Sequence, residues 1–197
     1  MYRWLRVLIY ASSLMISAMA MAGTQTPVPF RFDPTQSRVW FDADARLSSF
    51  RGQTQHLSGR FMLWDVSPPR ISDARVSIEA GSLETGNTDR DADMRKDFLE
   101  VSRFPVIVFT LTDLLVPRPL SAGVGWDLIL QGNLTVHGIT REVKVPTTVR
   151  LTSEQVMARG QIRLDMRDYK IRVPRLLFVP MKREVLVGFE VVAQPEP

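Results

Sequence analysis

Ser82 to Phe109 reads SLETGNTDRDADMRKDFLEVSRFPVIVF, and it holds one turn, one short helix and the start of a strand. An alternating run, Ala74 to Ala80, leads into it. Gly86 and Asn87 break that run, because both residues tolerate the positive φ of a tight turn. Thr88 is placed to cap a helix, with Asp91 three residues on where a capping box calls for an acid. Met94, Phe98 and Val101 fall at helical spacing and form one apolar face. Phe104-Pro105 ends the helix, since proline disfavours α geometry in the residue before it. Val106 to Phe109 is then β-rich. The stretch predicts one helix, over 89–101, between two strands.

Elsewhere the chain alternates with period two. Val39, Phe41, Ala43, Ala45 and Leu47 alternate with polar or bulky neighbours, and so do Ala74, Val76, Ile78 and Ala80. The same pattern runs through 127–136, 143–151, 158–166 and 185–191. With Leu57 to Trp64 and Val106 to Leu115 there are eight strand candidates. Turn signals at Ser67-Pro68-Pro69, Pro117 to Gly125 and Gly138 separate several of them. One short helix cannot cover the apolar faces of eight antiparallel strands, so they must cover each other, in a closed barrel or a two-sheet sandwich.

The chain has 197 residues, which suits one domain with a real core. Residues 1–22 read as a secretory signal peptide: Arg3 and Arg6 begin it, Val7 to Ser17 is mostly apolar, and Ala20-Met21-Ala22 ends it. Cleavage is expected before Gly23, with a second candidate before Met21, and the mature protein is expected in the periplasm or outside the cell. Residues 23–29, with two prolines, read as an irregular lead-in, and 193–197 as a frayed tail. The mature chain would carry 23 basic and 21 acidic residues, too even a balance for nucleic-acid binding. Cysteine is absent, which removes disulfides, thiol catalysis and Cys-based metal sites.

The quoted stretch resembles the YceI-like family. Ser82-Leu83-Glu84-Thr85-Gly86-Asn87 matches its S-[IL]-x-T-x-N turn, followed by Arg90-Asp91, Asp97-Phe98-Leu99-Glu100-Val101, and Phe104-Pro105 with Phe109. Downstream, Gly132 to Arg141 matches G-x-L-T-[IV]-x-G-[VI]-T-[KR]. Upstream, Asp33-Pro34 with Ser37 matches D-P-x-x-S, and Gly59-Arg60-Phe61 matches G-x-F. The likeness spans 30–192. It implies an all-β fold, an antiparallel eight-stranded lipocalin-like barrel with one short helix. It also implies a long apolar ligand held inside: an isoprenoid, a quinone-like lipid or a fatty amide.

The residues themselves offer no catalytic constellation. His56 and His137 are the two histidines, and neither stands at metal-ligand spacing. No G-x-S-x-G is present. Asp89, Asp91, Asp93, Asp97 and Glu100 follow EF-hand spacing, but Met94 occupies the place of the essential glycine. A capped, solvated helix with acids near its positive end and a local Arg90–Asp91 pair accounts for the same residues. No metal or enzyme activity is expected. Arg167, Lys170, Arg172, Arg175, Lys182 and Arg183 concentrate positive charge. They read either as a barrel mouth for an anionic lipid head or membrane surface, or as the solvated side of a strand pair.

The expected ligand-binding set is Phe41, Phe61, Ile78, Val108, Leu130, Leu134, Ile162, Leu164 and Phe189, each mid-strand on the more apolar parity of its run. Val108 is the ambiguous member, since Ile107 and Phe109 are equally apolar. The partner is then a long-chain apolar small molecule, with transient membrane contact and homodimer formation left open. The competing readings are a structural or stress-protective barrel whose lumen is filled by its own side chains, and an enzyme acting on a lipid or quinone.

Overall fold

Among the described residues the period-two runs become strand, apart from Ala80 and Met166 at their ends, which begin 3-10 turns. A computed structural model describes residues 26–196, apart from 46–48, 65–69, 116–124, 153 and 177–178. The expected signal peptide lies outside the described residues. The strands are β1 Val28–Phe32, β2 Arg38–Ala45, β3 Ser49–Thr54, β4 Leu57–Trp64, β5 Arg70–Glu79, β6 Val106–Leu115, β7 Trp126–Val136, β8 Ile139–Leu151, β9 Val156–Asp165, β10 Arg175–Leu176 and β11 Val179–Pro195. Helix α1, Thr88–Asp93, runs on into a π-helical turn, Met94–Phe98.

Eight strands close an antiparallel ring in the order β1-β4-β5-β6-β7-β8-β9-β11, and β11 pairs back to β1. The ring abolishes most free edges, which an open sheet would expose. Its closure depends on the length of β11. Met181 to Glu190 of that strand pair with β2, whereas Ala193 to Pro195 pair with β1. So β1 and β2 act as two halves of one bent strand. The Asp33-Pro34 motif makes the bend: the Asp33 carboxylate accepts from the Thr35 backbone N–H at 2.9 Å, and Ser37 Oγ accepts from the Val192 N–H at 3.0 Å. Ser37 is fully buried there.

Several expectations are corrected. Val28 and Pro29 are strand rather than lead-in. The residues read as a frayed tail form the closing seam: Phe30 pairs with Pro195, Ala193 is fully buried, and Arg31 meets Glu196 at 3.1 Å. Asn87, not Thr88, caps α1, its side chain accepting from the Arg90 N–H at 2.9 Å. Regular helix stops at Phe98 rather than Val101. Strand β3 hangs beyond β2, outside the ring, and its other edge is bridged by Gln53 to Glu84.

The lumen has two unlike halves. Near the seam, Phe30, Phe61, Leu128, Val149, Val156 and Ala193 form one buried cluster, with Phe30 and Phe61 stacked at 5.2 Å. This half is filled by the barrel's own side chains. The other half, toward β2, β3 and α1, is hollow.

Candidate functional site

The hollow half is a cavity of about 530 Å3, a size that suits a small-molecule ligand. Its walls are mostly apolar, with Asn87, Asp89, Arg90 and Asp93 at the helical side. β2 contributes Val39 and Phe41, β6 Ile107, β7 Leu134 and Val136, and β11 Val185 and Val187. The helical segment closes one side with Met94, Phe98 and Leu99, the face expected from their spacing except that Leu99 stands in for Val101.

Of the nine expected ligand residues, Phe41, Ile78, Leu134 and Leu164 line this cavity. Phe61 and Leu130 belong instead to the filled half. Ile162 and Phe189 are not among the lining residues: Ile162 pairs with Val187, and Phe189 lies between Val39 and Gly160. Val108 sits on the wrong parity. Its cross-strand partners are Ser77 and Thr135, while Ile107 pairs with the cavity-lining Ile78. Directly opposed residues share a face, so Ile107 faces the lumen and Val108 faces out. Phe50, Tyr169 and Met181 line the cavity without having been expected. Phe50 lies in a mostly polar strand, and the other two lie outside the clear alternating runs.

The motif at the cavity mouth is a hydrogen-bonded knot. Asp91 is buried and accepts from the Thr85 N–H at 2.9 Å and the Thr85 hydroxyl at 2.5 Å. Arg90 Nε donates to that same hydroxyl at 2.8 Å and Nη2 donates to the Thr85 carbonyl at 3.0 Å. Arg90 and Asp91 therefore meet through Thr85 rather than as a direct pair. The guanidinium also lies 4.1 Å from the centre of the Phe50 ring, a cation–π contact. Among the described residues, no group of three His, Cys, Asp or Glu side chains is placed to hold a metal ion.

A second tie fixes the far end of the helical segment. His137 and Gly138 both have positive φ, the hairpin geometry that favours glycine. A Cβ at Gly138 would lie 2.6 Å from the Phe104 ring, so the F-P motif packs on the G-x-L-T-V-H-G turn. His137 Nε2 is 2.6 Å from Glu100 Oε2, and Nδ1 is 3.1 Å from the Tyr169 carbonyl oxygen. Helix end, hairpin and cavity wall thus converge on one ring. The hydrogen bond from His137, and next that from Arg103, hold the Glu100 carboxyl below its ordinary 4.5. A carboxylate with a lowered native pKa contributes stability that is present above its unfolded value and lost as pH falls through the native one. Glu100→Gln should therefore be less stable than wild type at neutral pH. The gap in melting temperature should close on acidification below about 4.5, and a gap that persists there would show that Glu100 acts through packing.

The fold and the hollow half together define a binding-type barrel. The chain belongs to the YceI-like family, whose domain model matches residues 30–193. A UPF0312 protein of Pectobacterium atrosepticum is 28% identical over 134 residues, 66% of each chain, so the match falls just short of two thirds of that relative's length. Protein YceI of Salmonella arizonae is 31% identical over 93 residues, 47% of this chain and 44% of that one. Among solved structures, Burkholderia cenocepacia BcnA has a TM-score of 0.67 at 17% identity, over 82% of this chain and 98% of that one. A polyisoprenoid binding domain from Saccharophagus degradans, implicated in plant cell wall breakdown, has a TM-score of 0.67 at 20% identity, over 86% and 99%. At these identities the likeness is one of fold.

Proposed function

We propose that the protein is an exported carrier that holds a long apolar molecule, an isoprenoid, quinone-like lipid or fatty amide, in the hollow half of its barrel. The observation that carries this reading is the apolar cavity of about 530 Å3 left open beside a half that is packed. A barrel built only for rigidity gains nothing from an unfilled half, since voids forfeit dispersion contacts. Each buried methylene of a ligand contributes about 0.8 kcal/mol, so a long chain outweighs any single polar contact. The basic, apolar and small-residue order of residues 1–22 supports export.

Mass spectrometry of the protein purified from its own host tests both parts. Under native conditions it should show a co-purifying mass of several hundred daltons, the range of a lipid able to fill such a cavity. Under denaturing conditions the chain should begin at Gly23 or Met21. An intact Met1 refutes export, and repeated absence of any bound lipid favours the structural barrel.

A further inference from the structure

Two motif residues that the site has not yet used meet below the cavity. Phe109, the last residue of F-P-x-x-x-F, shares the inward parity of Ile107, and its cross-strand partners are Val76 and the cavity-lining Leu134. A Cβ at Gly132, the glycine that opens G-x-L-T, would lie 2.5 Å from the Phe109 ring and 2.5 Å from the Thr110 carbonyl oxygen. Glycine at that point of the strand is what lets the ring approach the backbone so closely. Gly132 stands one inward step beyond Leu134 along β7, on the side of the packed Leu130 and Leu128. The Phe109 ring therefore leans from the cavity toward the filled half.

Across the barrel, β11 repeats the device. Phe189 shares the inward parity of the cavity-lining Val187, and its cross-strand partners are Val39, which also lines the cavity, and Gly160. A Cβ at Gly160 would come 3.0 Å from the Phe189 ring. On each strand the ring falls between the two halves of the lumen: Ile107 and Leu114 bracket Phe109, and Val187 and Ala193 bracket Phe189. Between these two walls β8 brings in Val143 and Val145, 8% and 6% exposed. The two rings and the two valines belong neither to the cavity wall nor to the buried cluster. They form the layer between them. The elements that bear them are all strands of the ring, so this floor is made of side chains alone.

We propose that Phe109 and Phe189 set the length of chain that the protein holds: the two rings stop the buried end of the ligand. A chain longer than the cavity is deep is turned away rather than threaded into the filled half. This inference rests on the carrier reading and adds to it a length cut-off that does not depend on the head group. In a series of chains the affinity should climb about fourfold per methylene while each added carbon finds apolar wall. It should stop climbing at the length whose end meets the rings, because a further carbon must either displace packed side chains or stay in water.

Calorimetric titration with the n-alcohols from octanol to octadecanol tests this. Wild type should show a break in the dependence of affinity on chain length. Phe109→Ala and Phe189→Ala should each move that break to longer chains by about two methylenes or more, so that a chain just past the wild-type break gains at least about tenfold relative to octanol. Phe109→Leu and Phe189→Leu should move it less but in the same direction, which keeps the test open if the alanine variants fold poorly. A ring with a packing role alone would change the affinity for every length alike and leave the break in place. A break that none of the four variants moves, or a wild-type affinity that climbs without a break to octadecanol, overturns the proposal and leaves the carrier reading intact. If no alcohol binds wild type, the carrier reading falls and the length cut-off falls with it.

Discussion

Phe61→Ala should lower the stability of this protein by about 3–5 kcal/mol, the usual cost of emptying a packed aromatic site, and should leave affinity for the proposed ligand nearly unchanged. Phe61 is 4% exposed, stacked on Phe30 at 5.2 Å and tilted against Phe32 at 5.6 Å. Among its neighbours, Phe30 and Phe32 are on β1 and Ala193 is on β11, so moving these into the void would strain the pairing of β1 with β11. Yet Phe61 lies in the filled half and does not line the cavity. Denaturant unfolding gives the stability, and calorimetric titration with tetradecanol gives the affinity. A loss below about 1 kcal/mol would mean that the filled half is not packed as described. A folded variant that no longer binds would mean that the two halves are coupled.

Leu134→Trp should do the opposite. Leu134 lines the cavity, with Phe109 and Arg141 opposite it on the neighbouring strands. The larger ring has open volume to enter, so the melting temperature should stay within a few degrees of wild type. Ligand affinity should fall at least about tenfold, because the indole occupies the space that the chain needs. Overpacking a full core costs about 1–3 kcal/mol. A destabilisation of that size, in a protein from which no lipid can be extracted, would favour the self-filled barrel over the carrier.

How much of this was legible in the sequence depends on which contacts decide each feature. The alternating runs of β2, β5 and β7 to β9 carry their own face assignment, because one parity is apolar and the other polar. Val106 to Phe109 is apolar on both parities, and only its pairing with Ser77 and Ile78 shows which side is inward. β3, SFRGQT, is too polar to read as barrel wall. It pairs with β2 outside the ring, and Phe41 of β2 lies over its Gly52, where a Cβ would come within 2.2 Å of the ring. Along β7, Leu128 and Leu134 share a parity, yet one is packed and the other borders a cavity. Nothing local separates them, because the difference lies in what the remaining strands bring opposite. The partners of the basic segment were illegible for a related reason: Asp44 and the Asp97 carbonyl are distant in the chain from Lys182 and Arg172, and only Asp165 lies near the arginines it meets.

The seam has a consequence for how the molecule comes into being. Arg31 and Glu196 meet across it from 165 positions apart, about as non-local as a contact in a chain this size can be, and such pairings are slow to form. β1 pairs β4 early in the sequence, but its other edge waits for Ala193 to Pro195. A growing polypeptide can therefore assemble hairpins in order, β7 with β8, β8 with β9, and still hold no enclosed interior. The chamber comes into existence only when those last residues are available. Until then the molecule is an open ribbon whose first and last strands each present an unpaired edge.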